Sequence, residues 1–170
     1  MDKNESSFKY QIFESADQLA GVDRNLYEQA CEATNRSYAP YSNLKVGAAL
    51  LFDNDEVVRG ANYENGTFPL GVCAERASIY SAINATEFSR KAKPIAIAIA
   101  ARYEDKEFTE ISPCGECRQV LYELGLASQS KLRIIMPASD GTIVVIEDIS
   151  SLLPFAFTGP RTRQKMNNSQ

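Results

Sequence analysis

Three of the chain's four cysteines fall in two short stretches, CAER at residues 73–76 and SPCGECRQ at residues 112–119. The chain has no histidine, so a metal centre here has to be built from sulfur and carboxylate. Ser112 and Pro113 stand at a helix entrance, where proline's fixed φ and missing N–H are well tolerated. Cys114 and Cys117 then lie at i and i+3, on one face of the first turn. Cys73 opens a second helix in the same way. A helix start offers free backbone N–H groups and the positive end of the helix dipole, and both favour the thiolate.

Three such thiolates form a shell suited to zinc. Three protein ligands with an open fourth position define a catalytic rather than a structural zinc site. Water fills that position and is acidified toward hydroxide. Three thiolates place more negative charge on the metal than imidazoles would. Arg76, directly after Glu75, and Arg118, directly after Cys117, are expected to offset it by donating to the sulfurs. Glu75, two residues beyond Cys73, suits a proton carrier beside the water. Other readings of the cysteines exist. A C-x-x-C alone also marks redox dithiols and halves of zinc ribbons. The redox reading has no use for the third cysteine, the acid or the proline. A structural zinc needs a fourth ligand, for which only Cys31 remains, and Cys31 sits in an apolar helical stripe and reads as core filler.

The elements that must carry these residues follow from periodicity. Asp23–Arg36 has helix-spaced apolar residues, with Asp23 as its expected N-cap. Tyr38–Asn43 is a turn-rich loop. Lys45–Phe52 and Glu56–Ala61 are strand-like runs joined by Asp53-Asn54-Asp55, which predicts a hairpin. Cys73–Ala85 is helical by composition, and Pro94–Ala101 is a strand rich in Ile and Ala. Cys114–Leu124 is a helix expected to stop at Gly125. Leu132–Met136 and Thr142–Ile146 are strands, and Glu147–Leu153 suits a short last helix. The alternation predicts the α/β class: a three-layer α/β/α sandwich around a mixed five-stranded sheet, part of it antiparallel through the hairpin.

Length and composition set the outer limits. At 170 residues, 44% apolar and 24% charged, the chain suits one domain with a single core. That core is expected at about residues 23–158, with residues 1–14 and 161–170 loosely held. The net charge is -4 and the pI about 5.0, and basic residues cluster only at Arg90, Lys91, Lys93 and at Arg161, Arg163, Lys165. This favours a small ligand over nucleic acid. No apolar signal core opens the chain and no run approaches a membrane span, the longest being Pro94–Ala101. The expected compartment is the cytoplasm, where thiols stay reduced.

The pairing of C-A-E with P-C-x-x-C is the known signature of zinc-dependent nucleoside and nucleobase deaminases. Within that group the chain resembles the small homotetrameric cytidine deaminases from about Tyr38 to Phe157, in YAPYSNLKVGAAL, GANYEN, CAERASIYSAI, SPCGECRQVLYE and LLPFAF. The resemblance implies one zinc per subunit on Cys73, Cys114 and Cys117. It implies hydroxide attack at C4 of cytosine, with Glu75 moving protons to N3 and to the departing ammonia. The backbone at Ala74 would meet the base carbonyl, and the Ser112 carbonyl would accept from the amino group. Asn62 and Glu64 match the pair that holds the ribose hydroxyls, and an i, i+2 pair at a strand end does point one way. The family usually has Phe where this chain has Leu44, a position that stacks on the base; leucine keeps apolar contact without the ring. Phe157 aligns with the phenylalanine that reaches a neighbouring subunit's site, and Phe155 stands beside it.

The implied activity is hydrolysis of cytidine and 2′-deoxycytidine to the uridines and ammonia, a pyrimidine salvage reaction. A deaminase of the blasticidin S kind would share the metal motifs without needing the N-x-E pair. A non-catalytic zinc-binding or redox module would not need Glu75.

Overall fold

The computed structural model describes residues 7–84, 92–104 and 106–159. Its frame is a mixed seven-stranded sheet built from β1 (Tyr10–Phe13), β2 (Leu44–Phe52), β3 (Val57–Ala61), β4 (Pro94–Tyr103), β5 (Phe108–Thr109), β6 (Arg133–Pro137) and β7 (Ile143–Ile146). The order is β1-β7-β6-β4-β2-β3, with β5 pairing β4. Only β4 and β6 run parallel; the other pairs are antiparallel. The helices are α1 (Gly21–Ala33), α2 (Ala74–Asn84) and α3 (Gly115–Ser128), with short 3₁₀ turns between elements.

The three-layer sandwich and the five expected strands are present, and the count rises to seven. β5 is two residues long, too short for any periodic signal. β1 lies inside the stretch expected to be loose: Tyr10–Phe13 pairs in register with Ile143–Ile146 at the sheet edge. Residues 1–6 and 160–170 lie outside the described residues, as do Arg90, Lys91, Arg161, Arg163 and Lys165.

Alternation on β4 divides the two faces. Ile97, Ile99 and Ala101 join the core under α2 and α3, with Ala74, Ile79, Ala82 and Leu121. Ala96, Ala98 and Ala100 join the core under α1, with Leu26, Tyr27 and Ala30. Successive side chains of a strand point to opposite faces, so both layers are fixed by one run of residues. Each helix layer also comes close to the hairpin over a glycine. A Cβ on Gly47 would lie 2.1 Å from the Ala30 carbonyl of α1, and one on Gly60 would lie 2.3 Å from the Ala74 carbonyl and the Ser78 nitrogen of α2.

Two helix boundaries differ from expectation. Asp23 is not the cap: α1 begins at Gly21 after Ala20, and Asp23 lies in the first turn, paired with Arg133 of β6. There it still meets the positive end of the helix dipole. Gly125 does not stop α3. It is buried inside the helix, which ends three residues later with Gln129 in the left-handed region at φ 52. Ser130 N donates to Gly125 O (3.0 Å) and Gln129 N to Leu126 O (3.2 Å), the double closure that usually goes with glycine. The segment Glu147–Leu153 forms a 3₁₀ turn over Ile149–Leu152, capped by Asp148. No helix among the described residues is long and apolar enough to cross a membrane.

Candidate active site

Both cysteine stretches fold as the entrances of helices on the same side of the sheet. Cys73 O accepts from Ala77 N and Cys114 O from Arg118 N. Cys114 is the N-cap residue of α3, and Cys117 is buried one turn on. The three Sγ atoms lie within 4.8 Å of one another. Cys73 Sγ and Cys114 Sγ are 3.9 Å apart, close to the roughly 3.8 Å edge of a tetrahedron built on Zn–S bonds of about 2.3 Å.

The protonation balance also fits a cation. The Cys73 thiol is pushed down to about 5, chiefly by a hydrogen bond from Cys117 and further by Cys114 and the Arg76 guanidinium. Cys117 is pushed up, because it supplies that proton and because it is buried near Glu75 and Cys73. Protein groups alone thus drive the Cys73 and Cys117 thiols in opposite directions. A divalent cation among them removes the conflict. The residues present fit zinc.

Glu75 is only 4% exposed, and burial, followed by the charge of Cys73, raises its carboxyl above the usual range. Its own backbone carbonyl accepts from Ser78 Oγ at 2.8 Å. Arg76 reaches Glu116 (3.0 Å) and the Gly71 carbonyl (3.3 Å), while its charge and a hydrogen bond act on Cys73. Arg118 differs from expectation. Its Nε donates to Pro113 O at 2.8 Å and its Nη1 to Leu152 O at 3.3 Å. It grips backbone carbonyls, fixing the Ser112–Pro113 approach to Cys114 and the start of the C-terminal segment.

These groups open on a cavity of about 560 Å³, in the size range of small-molecule sites. Leu44, Val46, Val72 and Ile111 give it apolar walls, and Asn62, Glu64, Ala74 and Ser112 line it with the catalytic candidates. The wall opposite the cysteines is built by backbone pairing. Tyr63 bridges Tyr38 on one side and Val72 on the other, folding the loop so that Asn62 and Glu64 line the same cavity as Cys73.

The family resemblance implies a ribose-binding role for that polar pair, and the geometry gives it a bracing one. Asn62 Oδ1 accepts from Val46 N (2.8 Å) and from Ser37 Oγ, and its Nδ2 donates to Leu44 O (2.9 Å). One Nδ2 hydrogen remains for a ligand. Glu64 accepts from Tyr41 N (2.9 Å) and from the N and Oγ of Ser42, and these bonds hold its carboxyl below the usual range. Both residues brace the 38–44 loop while facing the cavity. Leu44 is half-buried, and the rings along this wall belong to Tyr41, Tyr63 and Phe68, with Tyr41 and Phe68 packed edge to face at 6.0 Å. These rings were not singled out from the sequence; YAPYS and GTFP carry no spacing that distinguishes a cavity ring from a loop ring. Phe157 is absent from the lining of its own cavity and stands 75% exposed.

Three convergent thiols offer a metal ion three ligand atoms beside a buried carboxyl and an apolar cavity. Residues 21–130 match the model of the cytidine and deoxycytidylate deaminase zinc-binding region. The cytidine deaminase of Halalkalibacterium halodurans is 38% identical over 138 residues, covering 81% of this chain and 96% of that protein. The crystal structure of cytidine deaminase from Burkholderia pseudomallei superposes with a TM-score of 0.66 at 38% identity, over 78% of this chain and 97% of the other. That of Mycobacterium tuberculosis gives 0.62 at 32% identity, over 79% and 96%. The chain belongs to the zinc-binding cytidine and deoxycytidylate deaminase family.

Proposed function

We propose that this protein is a hydrolytic cytidine deaminase acting on cytidine and 2′-deoxycytidine. The observation that carries the reading is Glu75, a carboxyl that lines the cavity and is buried beside a cluster of three mutually close sulfurs. In this reading Cys73, Cys114 and Cys117 hold zinc, which when bound lets water act as a nucleophile at neutral pH. Water adds to C4 of the cytosine. Glu75, a carboxyl that burial raises above its ordinary range, moves the first water proton to N3. It then carries the second to the amino nitrogen, the C4–N4 bond breaks, and ammonia leaves with C4 now a carbonyl. The Ala74 N–H, free at the start of α2, meets the base carbonyl, and the Ser112 carbonyl accepts from the amino group.

At the other end of the cavity Asn62 and Glu64 receive the ribose hydroxyls. That favours a nucleoside over a blasticidin-type substrate, and an acid there disfavours a phosphate. Leu44 supplies apolar contact to the base. We place the enzyme in the cytoplasm and in pyrimidine salvage. We also infer a homotetramer in which Phe157 of one subunit reaches the cavity of another; its exposure, outside the lining of its own cavity, supports this. The test is loss of cytidine absorbance measured with zinc content on the same sample. One zinc per chain with uridine and ammonia formed in equal amounts is expected. Metal-free protein as purified, or zinc-loaded protein inert toward cytidine, overturns the proposal.

A further inference from the structure

The last residue of the SPCGECRQ stretch is unused by the chemistry above, and it makes an unusual contact. Gln119 Nε2 donates to Phe157 O at 2.9 Å, and Phe157 N donates to Gln119 Oε1 at 3.2 Å. One side-chain amide thus takes both backbone polar groups of one residue 38 positions away, as a neighbouring β-strand would. The preceding residue, Arg118, holds Leu152 O. Two consecutive residues of α3 therefore pin both ends of the segment 152–157. Between the pins the chain makes a sharp excursion, with Phe155 at φ 60, a left-handed conformation uncommon for an aromatic residue. A segment so shaped has no regular ladder to fix its outer end; the Gln119 amide does that.

What the clamp presents is a phenylalanine ring 75% exposed. Fixing the N–H and C=O of a residue fixes the direction of its Cα–Cβ bond, and with it the region the ring can reach. We infer that Gln119 is a positioning residue for Phe157: its amide sets where the ring stands for delivery to the cavity of a second copy. The inference rests on the proposed sharing of cavities between subunits. Because Gln119 lies two residues from Cys117 on α3, the ring offered to the neighbour is referenced to the metal-bearing helix of its own subunit. Phe155 has no such clamp and is fully exposed, so Phe157 is the ring assigned to the neighbouring cavity.

The test uses the zinc-loaded full chain and cytidine, with Q119M, F157A and the double variant. Methionine keeps the length of glutamine and removes both hydrogen bonds. Q119M is expected to raise KM about tenfold, the worth of roughly one of the two lost bonds, with kcat within about twofold. Zinc content and oligomeric state should match the parent. F157A is expected to raise KM at least as much, and the double variant no further than F157A alone, because a ring that is gone cannot be misplaced. Q119E, which keeps the acceptor and loses the donor, should fall between parent and Q119M. A parental KM for F157A sinks the shared-cavity reading itself. A raised KM for F157A with a parental KM for Q119M, additive effects in the double variant, or an assembly that changes in Q119M would overturn the positioning role and leave shared cavities standing.

Discussion

Cys31 and Cys73 are the same side chain on opposite faces of one sheet, and their thiols are driven in opposite directions. Cys31 lies in the last turn of α1, where burial pushes its thiol up to about 11. Cys73 stands at the entrance of α2, where Cys117, Cys114 and Arg76 pull it down to about 5. Neither value follows from the residue type. A lone thiol packed into the core is raised by burial, whereas a thiol beside two others and a guanidinium is lowered. Two helices opening side by side on the α2/α3 face then bring three sulfurs together, whereas the α1 face holds one. The fold makes one face structural and the other reactive by where its helices begin.

The sharpest way to test that division is to remove the proposed proton carrier and leave the face intact. Glu75→Gln keeps size and burial and takes away the exchangeable proton. Turnover of cytidine should fall by about 10²–10⁴-fold, while zinc content and melting temperature stay near the parent's. Normal turnover in E75Q would mean that the buried carboxyl is structural and the two faces differ less than proposed.

The two close-approach glycines give a matched pair. Gly47→Ala pushes α1 off the hairpin, and Gly60→Ala pushes off α2. The obstructing atoms are backbone, so each variant should lose at least the roughly 1–3 kcal/mol usual for overpacking. Their activities should separate. Displacing α2 moves Cys73, Ala74 and Glu75 together, and a shift of about 1 Å can cost up to about 100-fold. Displacing α1 moves none of them. Thermal melts with kcat per folded molecule check this, and equal losses of kcat would break the comparison.

Asn62→Ala joins both tasks of the polar wall. It strips partners from Val46 N, Leu44 O and Ser37 Oγ, costing about 1–3 kcal/mol for the group on buried Val46 and less for the two partly buried ones. It should also raise KM for cytidine more than KM for a cytosine analogue without the sugar. A uniform change in both would assign Asn62 to bracing alone.

How much of this was legible beforehand follows the reach of each interaction. The hairpin, the sheet-face alternation of β4 and the helix starts at Cys73 and Cys114 are local, and the sequence pattern carries them. The cluster of three cysteines was legible because its residue types have few alternative uses once three appear at helix starts. β1 was missed because four residues, mostly exposed, at a sheet edge carry almost no burial pattern. The ends of α1 and α3 were missed because Asp23 is claimed by Arg133, 110 positions away, and because Gln129 adopts the conformation that Gly125 was expected to take. Arg118 was assigned to sulfur although its partners are carbonyls, one of them 34 positions distant. The clamp between Gln119 and Phe157 spans 38 positions and leaves no local trace at all.

The smallest expected effect concerns Cys31 itself. With its thiol near 11, the thiolate fraction at pH 8 is about 10⁻³, so iodoacetamide should leave Cys31 unmodified in the native protein while Cys73 of chelator-treated protein reacts readily. Mass spectrometry of the two peptides reads the contrast directly. The same shift has a stability consequence. Relative to the ordinary thiol value of 9.0, a raised native value means that the unfolded chain loses the proton first as pH rises. The contribution of neutral Cys31 is therefore complete below about pH 9 and is withdrawn between about pH 9 and 11. Tyr27, also raised by burial and bonded to Cys31, withdraws its share in the same sense at higher pH. Cys31→Ala should accordingly leave kcat and KM untouched, and its melting temperature should fall less steeply than the parent's from pH 9 to 10.5. A steeper fall, or rapid alkylation of native Cys31 at pH 8, would show a thiol that is accessible and ionised, and would remove the chemical contrast between the two faces of the sheet.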